Sequence, residues 1–352
     1  AGRYDQDEVL NRAIKANPAD LQVVEMLVKA GAEPFERTAV HETIITTPFS
    51  DSFDAYESGR QPAILEFLLS TRKLDPRSAL AGDYLEHAVS HPKVLARLLG
   101  YGIKPEHADD LLFELASAGS YPATLAVRQQ YLAIAADLVQ HYPSMAKAIR
   151  GEDGYRSMKR AVSICNLEFA SWLLDKGASM RPTDGDDPGA LVSAVVDHCD
   201  KTYSPSPDTD SSADRDHWRM VFLEKLKAKS YDFNVEANRC PAWSYGGSSC
   251  LGPEDDNLTL ALLALGADPY LWYPRQDRSA LVWAIDRCRT VVLDAMLAKP
   301  PSKLDTLTMK GLDAALEATT REPWPGLNCP TDFMGKTASK LISYGAGRDA
   351  GK

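Results

Sequence analysis

The chain has 352 residues, a formal net charge of -10 at pH 7, and 44% hydrophobic and 25% charged residues. This length predicts two domains or an array of repeats, and the composition excludes a chain that is disordered throughout. No apolar run is long enough to span a membrane, and the polar start of the chain predicts no signal peptide.

Lysine and arginine are spread evenly along the chain, and both halves are net acidic. A protein that binds nucleic acid needs clustered basic side chains to displace counterions from phosphates. Binding to an anionic membrane surface needs a similar cluster. We therefore expect neither a nucleic acid nor a membrane among the partners of this chain.

The cysteines show no metal-binding spacing, so we expect no metal and no cofactor. The six positions are Cys165, Cys199, Cys240, Cys250, Cys288 and Cys329. Cys240 and Cys250 are close enough in sequence to form a disulfide, and the sequence leaves their redox state open. Because no signal peptide is visible, we expect reduced thiols and a cytoplasmic or nuclear location.

A short motif recurs at intervals of about 39 residues and predicts a repeat array. It consists of two apolar residues, two spacers, Gly-Ala or a similar pair, and an acidic residue before proline. Clear copies lie at 27–34, 98–105, 173–180, 262–269 and 341–348, with weaker copies at 68–76, 138–145, 226–233 and 296–305. The motif is typical of a helix that ends where glycine lets the chain enter a left-handed conformation.

A second apolar segment precedes each motif and predicts a shorter helix of about two turns. Such segments begin at Val9, Ala39, Tyr84, Ser157, Ala190 and Ser279. A turn follows each of them: Thr47-Pro48 and His91-Pro92 mark two of these turns, and Cys165 and Cys288 occupy the equivalent position in two others. Each repeat is thus predicted to be a helix, a turn, a longer helix ending at glycine, and an extended connector.

This pattern resembles the ankyrin repeat. The second half of the ankyrin signature is best kept at residues 262–269, and the first half is nearest at 38–43 and 279–284. The resemblance covers residues 4–349 and implies an all-α solenoid of stacked helix pairs with short connecting fingers and a concave face. The approximate repeats are 4–34, 35–76, 77–105, 106–145, 151–181, 186–235, 239–269, 276–305 and 309–349.

Four insertions are predicted to lengthen the turn between the two helices of a repeat. They lie at 48–61, 119–129, 200–217 and 321–332. Residues 200–217 are rich in Asp, Ser and Pro, which predicts a flexible acidic loop. This loop is interpreted either as a docking or phosphorylation segment or, preferably, as a solvated insertion.

The seventh repeat departs most from the pattern, because residues 239–256 contain glycine, proline and serine where a first helix is expected. Aromatic and arginine side chains dominate binding hot spots, and they are frequent in and after this repeat. The predicted binding residues are Trp243, Tyr245, Trp272, Tyr273, Arg275 and Trp283, with Asp277 and Arg278 as a polar rim. In the alternative interpretation these aromatic side chains fill a poorly packed core.

The sequence favours a monomeric, non-enzymatic scaffold that holds a partner protein or peptide on the concave face of its seventh and eighth repeats. No nucleophile elbow, P-loop or dinucleotide-binding motif is present, and the catalytic residues are unknown. The alternative is a cyclase-like, isomerase-like or hydrolytic enzyme with a small-molecule pocket on the same solenoid, in which Asp277, Asp286 and Arg275 are the acid–base candidates. A regulatory module of a longer chain is a third hypothesis.

Overall fold

The computed structural model describes residues 3–16, 20–35, 47–105, 108–118, 125–182, 187–199, 212–237, 240–241, 255–272, 279–321 and 329–347. Their regular structure is almost entirely helical, as the sequence predicts. No helix within these ranges combines the length and the apolar character needed to cross a membrane. The chain divides into two compact units: unit 1 is Ala1–Gly119 with Leu125–Ala148, and unit 2 is Ser120–Thr124 with Ile149–Lys352.

The helices of unit 1 contact one another in consecutive pairs. They are α1 (Arg3–Lys15), α2 (Leu21–Lys29), α3 (Pro48–Asp51), α4 (Phe53–Glu57), α5 (Pro62–Ser70), α6 (Ala79–His87), α7 (Pro92–Tyr101), α8 (Ala108–Ala118) and α9 (Leu125–His141). Helix α1 pairs with α2, α6 with α7, and α8 with α9. First helices also contact first helices (α6 with α8), and second helices contact second helices (α2 with α5, α7 with α9).

Unit 2 repeats this arrangement. Its helices are α11 (Glu152–Ser163), α12 (Leu167–Asp175), α13 (Ala190–His198), α14 (Ser212–Ala228), α15 (Asp256–Leu265), α16 (Ala280–Asp286), α17 (Thr290–Met296), α18 (Thr306–Ala318) and α19 (Phe333–Tyr344). Helix α11 contacts both its partner α12 and the next first helix α13, and α16 likewise contacts α17 and α18. Two-residue strands, β1 (Glu236–Ala237) and β2 (Cys240–Pro241), pair antiparallel. A helix pair of this kind buries its apolar faces only against its neighbours.

The structure confirms the predicted helix ends at all five clear copies of the motif. Gly31, Gly102, Gly177, Gly266 and Gly345 have φ between 94° and 112°. In each copy the residue after glycine donates its backbone N–H to the carbonyl of the first motif residue, as in Ala267 to Leu262 at 3.0 Å. Ala267 is itself buried. The motif spacing therefore follows from one closing hydrogen bond and one apolar contact at the helix end.

The weaker copies behave in two ways. Arg72 and Ser230 adopt the left-handed conformation without glycine, with φ of 53° and 62°. At 138–145, in contrast, the predicted connector is wrong, because α10 (Pro143–Arg150) begins there. Proline is favourable in the first turn of a helix, and the side chains of Met145 and Ile149 from α10 are fully buried.

The insertion at 48–61 is predicted to be a lengthened turn, and the structure corrects this. It forms α3 and α4, whose Phe49 and Phe53 side chains are fully buried with ring centroids 5.3 Å apart. The Tyr84 hydroxyl donates to the Phe35 carbonyl at 3.1 Å and contacts the Thr47 hydroxyl at 2.9 Å. The insertion therefore supplies part of the core of unit 1.

The other insertions are described only in part. Residues 212–217 belong to α14, so this end of the predicted flexible acidic insertion is helical, while 200–211 lie outside the described residues. Residues 125–129 belong to α9. The first helix expected from Ala39 and most of the glycine-rich stretch at 239–256 also lie outside the described residues.

Four cysteines form two disulfides, Cys165–Cys199 and Cys288–Cys329, with Cα–Cα distances of 5.3 Å and 5.5 Å. The expectation of reduced thiols is wrong for these four residues, because the contacts of α11 with α13 and of α16 with α18 bring residues that are distant in sequence side by side. A cytoplasmic or nuclear location loses the support that it drew from reduced thiols.

Candidate functional site

The structure describes two of the eight predicted binding residues, Trp272 and Trp283. The other six lie outside the described residues: Trp243, Tyr245, Tyr273, Arg275, Asp277 and Arg278. Of the acid–base candidates for an enzyme, Asp286 alone lies within the described ranges, at the last turn of α16. The binding role of the undescribed residues stays a prediction.

Trp272 lies in the extended segment after α15, and its side chain is only 4% exposed. The ammonium of Lys310 from α18 lies 4.9 Å from the centre of the indole ring. Among the residues that the structure describes, the buried indole N–H has no hydrogen-bond acceptor. Helix α18 comes close to this segment at Gly311, where a Cβ atom would lie 2.3 Å from the carbonyl oxygen of Tyr270.

Trp283 lies on α16, where residues 280–285 are all buried, and it is also 4% exposed. The guanidinium of Arg289 lies 5.1 Å from the centre of its ring and donates from Nε to Asp256 at 2.7 Å. A hot-spot side chain on a free protein must be accessible to its partner, and neither tryptophan is. These two side chains fit the alternative interpretation, in which aromatic residues fill the core.

Carboxylates lie at the starts of two helices. Asp255 accepts from the Asn257 backbone N–H at the start of α15, and Asp109 lies in the first turn of α8. Asp255 also contacts the almost fully buried guanidinium of Arg219 at 3.2 Å, and Arg219 donates to Asp216 at 2.8 Å. This buried cluster joins α14 to α15, where losing one partner would leave a charge without compensation.

The exposed apolar side chains of unit 2 indicate a surface that the sequence reading missed. Leu304 and Leu307 are 55% and 43% exposed where the chain enters α18. Three exposed lysines lie around them in sequence. We call Lys299, Lys303, Leu304, Leu307 and Lys310 the connector surface.

Asp305 follows Leu304 in the chain and caps α18. Its carboxylate accepts from the Thr308 backbone N–H at 2.9 Å. The hydrogen bonds from Thr308 lower the pKa of Asp305, so the carboxylate stays charged and directed at the helix end. The three lysines of the connector surface therefore lie beside a charged carboxylate, on a chain whose net charge is -10.

An open groove of about 540 Å³ continues from the connector surface through Lys299 and Ser302. Its apolar lining comes from the ends of α15 and α17: Leu260, Leu263, Tyr270, Met296, Pro300 and Pro301. Hydrogen bonds connect the residues that line the groove. The Asn234 side chain donates to the Gly266 carbonyl at 3.1 Å and accepts from the Asp268 N–H at 2.7 Å.

Tyr270 and Asp268 line the groove, and hydrogen bonds hold both residues in place. The Tyr270 hydroxyl donates to the Met296 carbonyl at 2.9 Å, and burial raises the pKa of this phenol, so it stays a donor. Asp268 accepts from the Tyr270 backbone N–H at 2.9 Å, and burial raises the pKa of its carboxyl. The groove is therefore already formed, which reduces the entropy lost on binding.

Unit 1 contains a hydrogen-bonded serine, histidine and aspartate that bears on the enzyme hypothesis. Ser90 Oγ lies 2.9 Å from His91 Nδ1, and His91 Nε2 lies 2.9 Å from Asp54 Oδ1. The Asp54 side chain is 84% exposed, so water screens its interaction with the imidazole. A catalytic aspartate of such a triad is buried, so this contact is better explained as a link between α4 and the start of α7.

Neither protein-family models nor curated proteins gave a match to this chain. Within the described residues, no three or more His, Cys, Asp or Glu side chains are grouped so that they could hold a metal ion. The connector surface and its groove are thus the part of the described chain whose geometry points most directly to binding.

Proposed function

We propose that the chain is a divergent ankyrin-like stack of helix pairs and acts as a non-enzymatic scaffold. The closed helix ends and the contacts between successive pairs support the stack. The connector surface carries the functional proposal, since Leu304 and Leu307 remain 55% and 43% exposed between lysines and beside an open groove. Apolar side chains grouped in this way are typical of a surface that is covered by a partner.

The partner is a protein segment that is acidic and carries apolar side chains. Carboxylates of that segment would meet Lys299 and Lys303, while its apolar side chains would cover the leucines and enter the groove. The rest of this acidic chain repels an acidic partner, so the attraction is confined to the connector surface. Charge would then set the association rate and the orientation, and apolar burial would set most of the affinity.

The proposal is tested with labelled peptides of defined composition. Binding of a glutamate–leucine peptide, a lysine–leucine peptide and a glutamate–serine peptide is measured by fluorescence polarisation. We expect the glutamate–leucine peptide to bind most tightly. The Leu304→Ser/Leu307→Ser variant should weaken its binding about tenfold or more, because each lost apolar anchor costs on the order of 1 kcal/mol or more. Lys303→Glu should mainly slow association and reduce its salt dependence.

Met26→Ser is the matched control, because Met26 is an apolar side chain of unit 1 that is 61% exposed. It should leave peptide binding unchanged. Trp272→Ala tests the competing site, and we expect it to lower helicity because the indole is buried. Equal affinity for all three peptides, or full affinity in the double serine variant, would exclude the connector surface as the binding site.

A further inference from the structure

Cys165 and Cys288 occupy equivalent turns in two different helix pairs of unit 2. Cys165 lies between α11 and α12, and Cys288 lies between α16 and α17. Both have positive φ, 61° and 51°. Their backbone N–H groups donate three residues back, to Val162 and Ile285, each at 3.0 Å. The residue that follows each cysteine donates five residues back, so the two turns close in the same way.

Glycine is the usual residue at such a position, because any β-carbon is strained there. The glycine-ended second helices of this chain follow that rule, with Gly177 and Gly266 as examples. Arg72 and Ser230 also adopt this conformation, so the two cysteines are set apart by their equivalent turns and by their bonded partners.

The bonded partners are also equivalent. Cys199 directly follows α13, and Cys329 follows α18, so each disulfide joins the turn after one first helix to the turn after the next. The sequence separations of 34 and 41 residues are each close to one repeat. The joined first helices are in contact, α11 with α13 and α16 with α18. The second disulfide encloses α17, the connector surface and α18.

We propose that these two disulfides are staples between consecutive repeats and that the chain acquires them in an oxidising compartment. Each staple forms when two thiols lose two protons and two electrons. The electrons pass to an acceptor disulfide, such as oxidised glutathione, which is reduced to two thiols. A reducing cytosol reverses this reaction, so the stapled chain belongs in a secretory or extracellular setting.

Accessibility distinguishes the two staples. Cys199 is 1% exposed, and its sulfur lies against the Val162 carbonyl at 3.8 Å. Cys165, Cys288 and Cys329 are each half-buried, so a thiolate has two half-buried sulfurs to attack in the second disulfide but one in the first. Because reduction requires a thiolate to reach a disulfide sulfur, Cys288–Cys329 is reduced first by an added thiol.

The test begins with the wild-type chain, produced once in a secretory pathway and once in a reducing cytosol. Free thiols are alkylated, the chain is digested without reduction, and the linked peptides are identified by mass spectrometry. Secreted protein should contain the two named pairs, with Cys288–Cys329 lost first as dithiothreitol is raised. Free thiols at all four positions in secreted protein, or pairing of any of them with Cys240 or Cys250, would overturn the proposal.

Two double variants measure what the staples do. Cys165→Ser/Cys199→Ser and Cys288→Ser/Cys329→Ser should each lower the melting temperature by about 8 to 16 °C. With reductant present, wild type and both variants should melt at the same temperature. If a variant melts below reduced wild type under these conditions, the serine substitutions themselves, and not the missing disulfide, cause the loss of stability. If removing a disulfide leaves the melting temperature unchanged, its proposed role as a staple is wrong.

Discussion

At the level of single residues, residues with positive φ show where several second helices end. Five glycines end second helices, while Arg72 and Ser230 adopt the same conformation at a steric cost of roughly 1 kcal/mol each. The closing hydrogen bond from Tyr231 to the Leu226 carbonyl is still formed at 3.0 Å. Packing of the neighbouring helices therefore imposes this helix end even where the sequence does not favour it.

Replacing either of two glycines near the end of α7 with alanine should change the free energy of unfolding, in opposite directions. A Cβ atom at either Gly100 or Gly102 would meet no heavy atom within 4 Å, but only Gly102 has positive φ, 100°. Gly102→Ala should lower the free energy of unfolding by about 1 kcal/mol because alanine is strained there. Gly100→Ala should raise it by up to about 1 kcal/mol because alanine favours the helix.

Urea denaturation of unit 1, followed by circular dichroism, measures both effects. Each variant serves as the control for the other, because the substitutions are the same and lie two residues apart. Destabilisation by both variants would mean that the positive φ of Gly102 does not explain the effect of the substitution there.

At the element scale, a bidentate ion pair joins the insertion helices to the repeats. Arg97 of α7 donates to Glu66 of α5 through two nitrogens, each at 2.7 Å, and the Tyr56 hydroxyl of α4 donates to the same carboxylate at 3.3 Å. Three helices thus meet at one carboxylate. The sequence reading treated residues 48–61 as a turn because serine, aspartate and glycine obscure the spacing of two phenylalanines.

The Glu66 carboxylate predicts a pH dependence of stability. Hydrogen bonds from Arg97 lower its pKa in the folded chain below the ordinary value of 4.5. The folded chain then binds fewer protons than the unfolded one, so the pair stabilises fully above pH 4.5 and loses its effect as pH falls through the folded pKa. Glu66→Gln should flatten the dependence of the unfolding free energy on pH in that window.

Denaturation curves at a series of acidic pH values provide the measurement. A double-mutant cycle with Arg97→Gln separates the pair from its surroundings, since the second substitution should add little once the first is made. An unchanged pH dependence in Glu66→Gln would assign the acid sensitivity of unit 1 to other carboxylates.

At the scale of the whole molecule, the cysteines are unevenly distributed. All six lie at or beyond residue 165, so unit 1 contains none and both described disulfides belong to unit 2. They close loops of 34 and 41 residues, and each contributes about 4 kcal/mol in the chain-entropy account.

A reductant should therefore destabilise unit 2 and leave the stability of unit 1 unchanged. Hydrogen exchange followed by mass spectrometry, with and without a phosphine reductant, should show faster exchange in α11, α13, α16 and α18 of unit 2. The helices of unit 1 should exchange at unchanged rates under the same conditions. Equal acceleration in both units would mean that the reductant acts by some route other than the two staples.

The helical class, the glycine-ended second helices and the turns at His91 and Cys165 could be predicted from the sequence, because these features depend on contacts within about one helical turn. Only the tertiary structure decided which distant residues meet. It buried Trp272 and Trp283, left Leu304 and Leu307 exposed, and placed cysteines one repeat apart side by side. The exposure of a side chain and the pairing of cysteines depend on neighbours that are far away in sequence, so a local sequence pattern does not predict them.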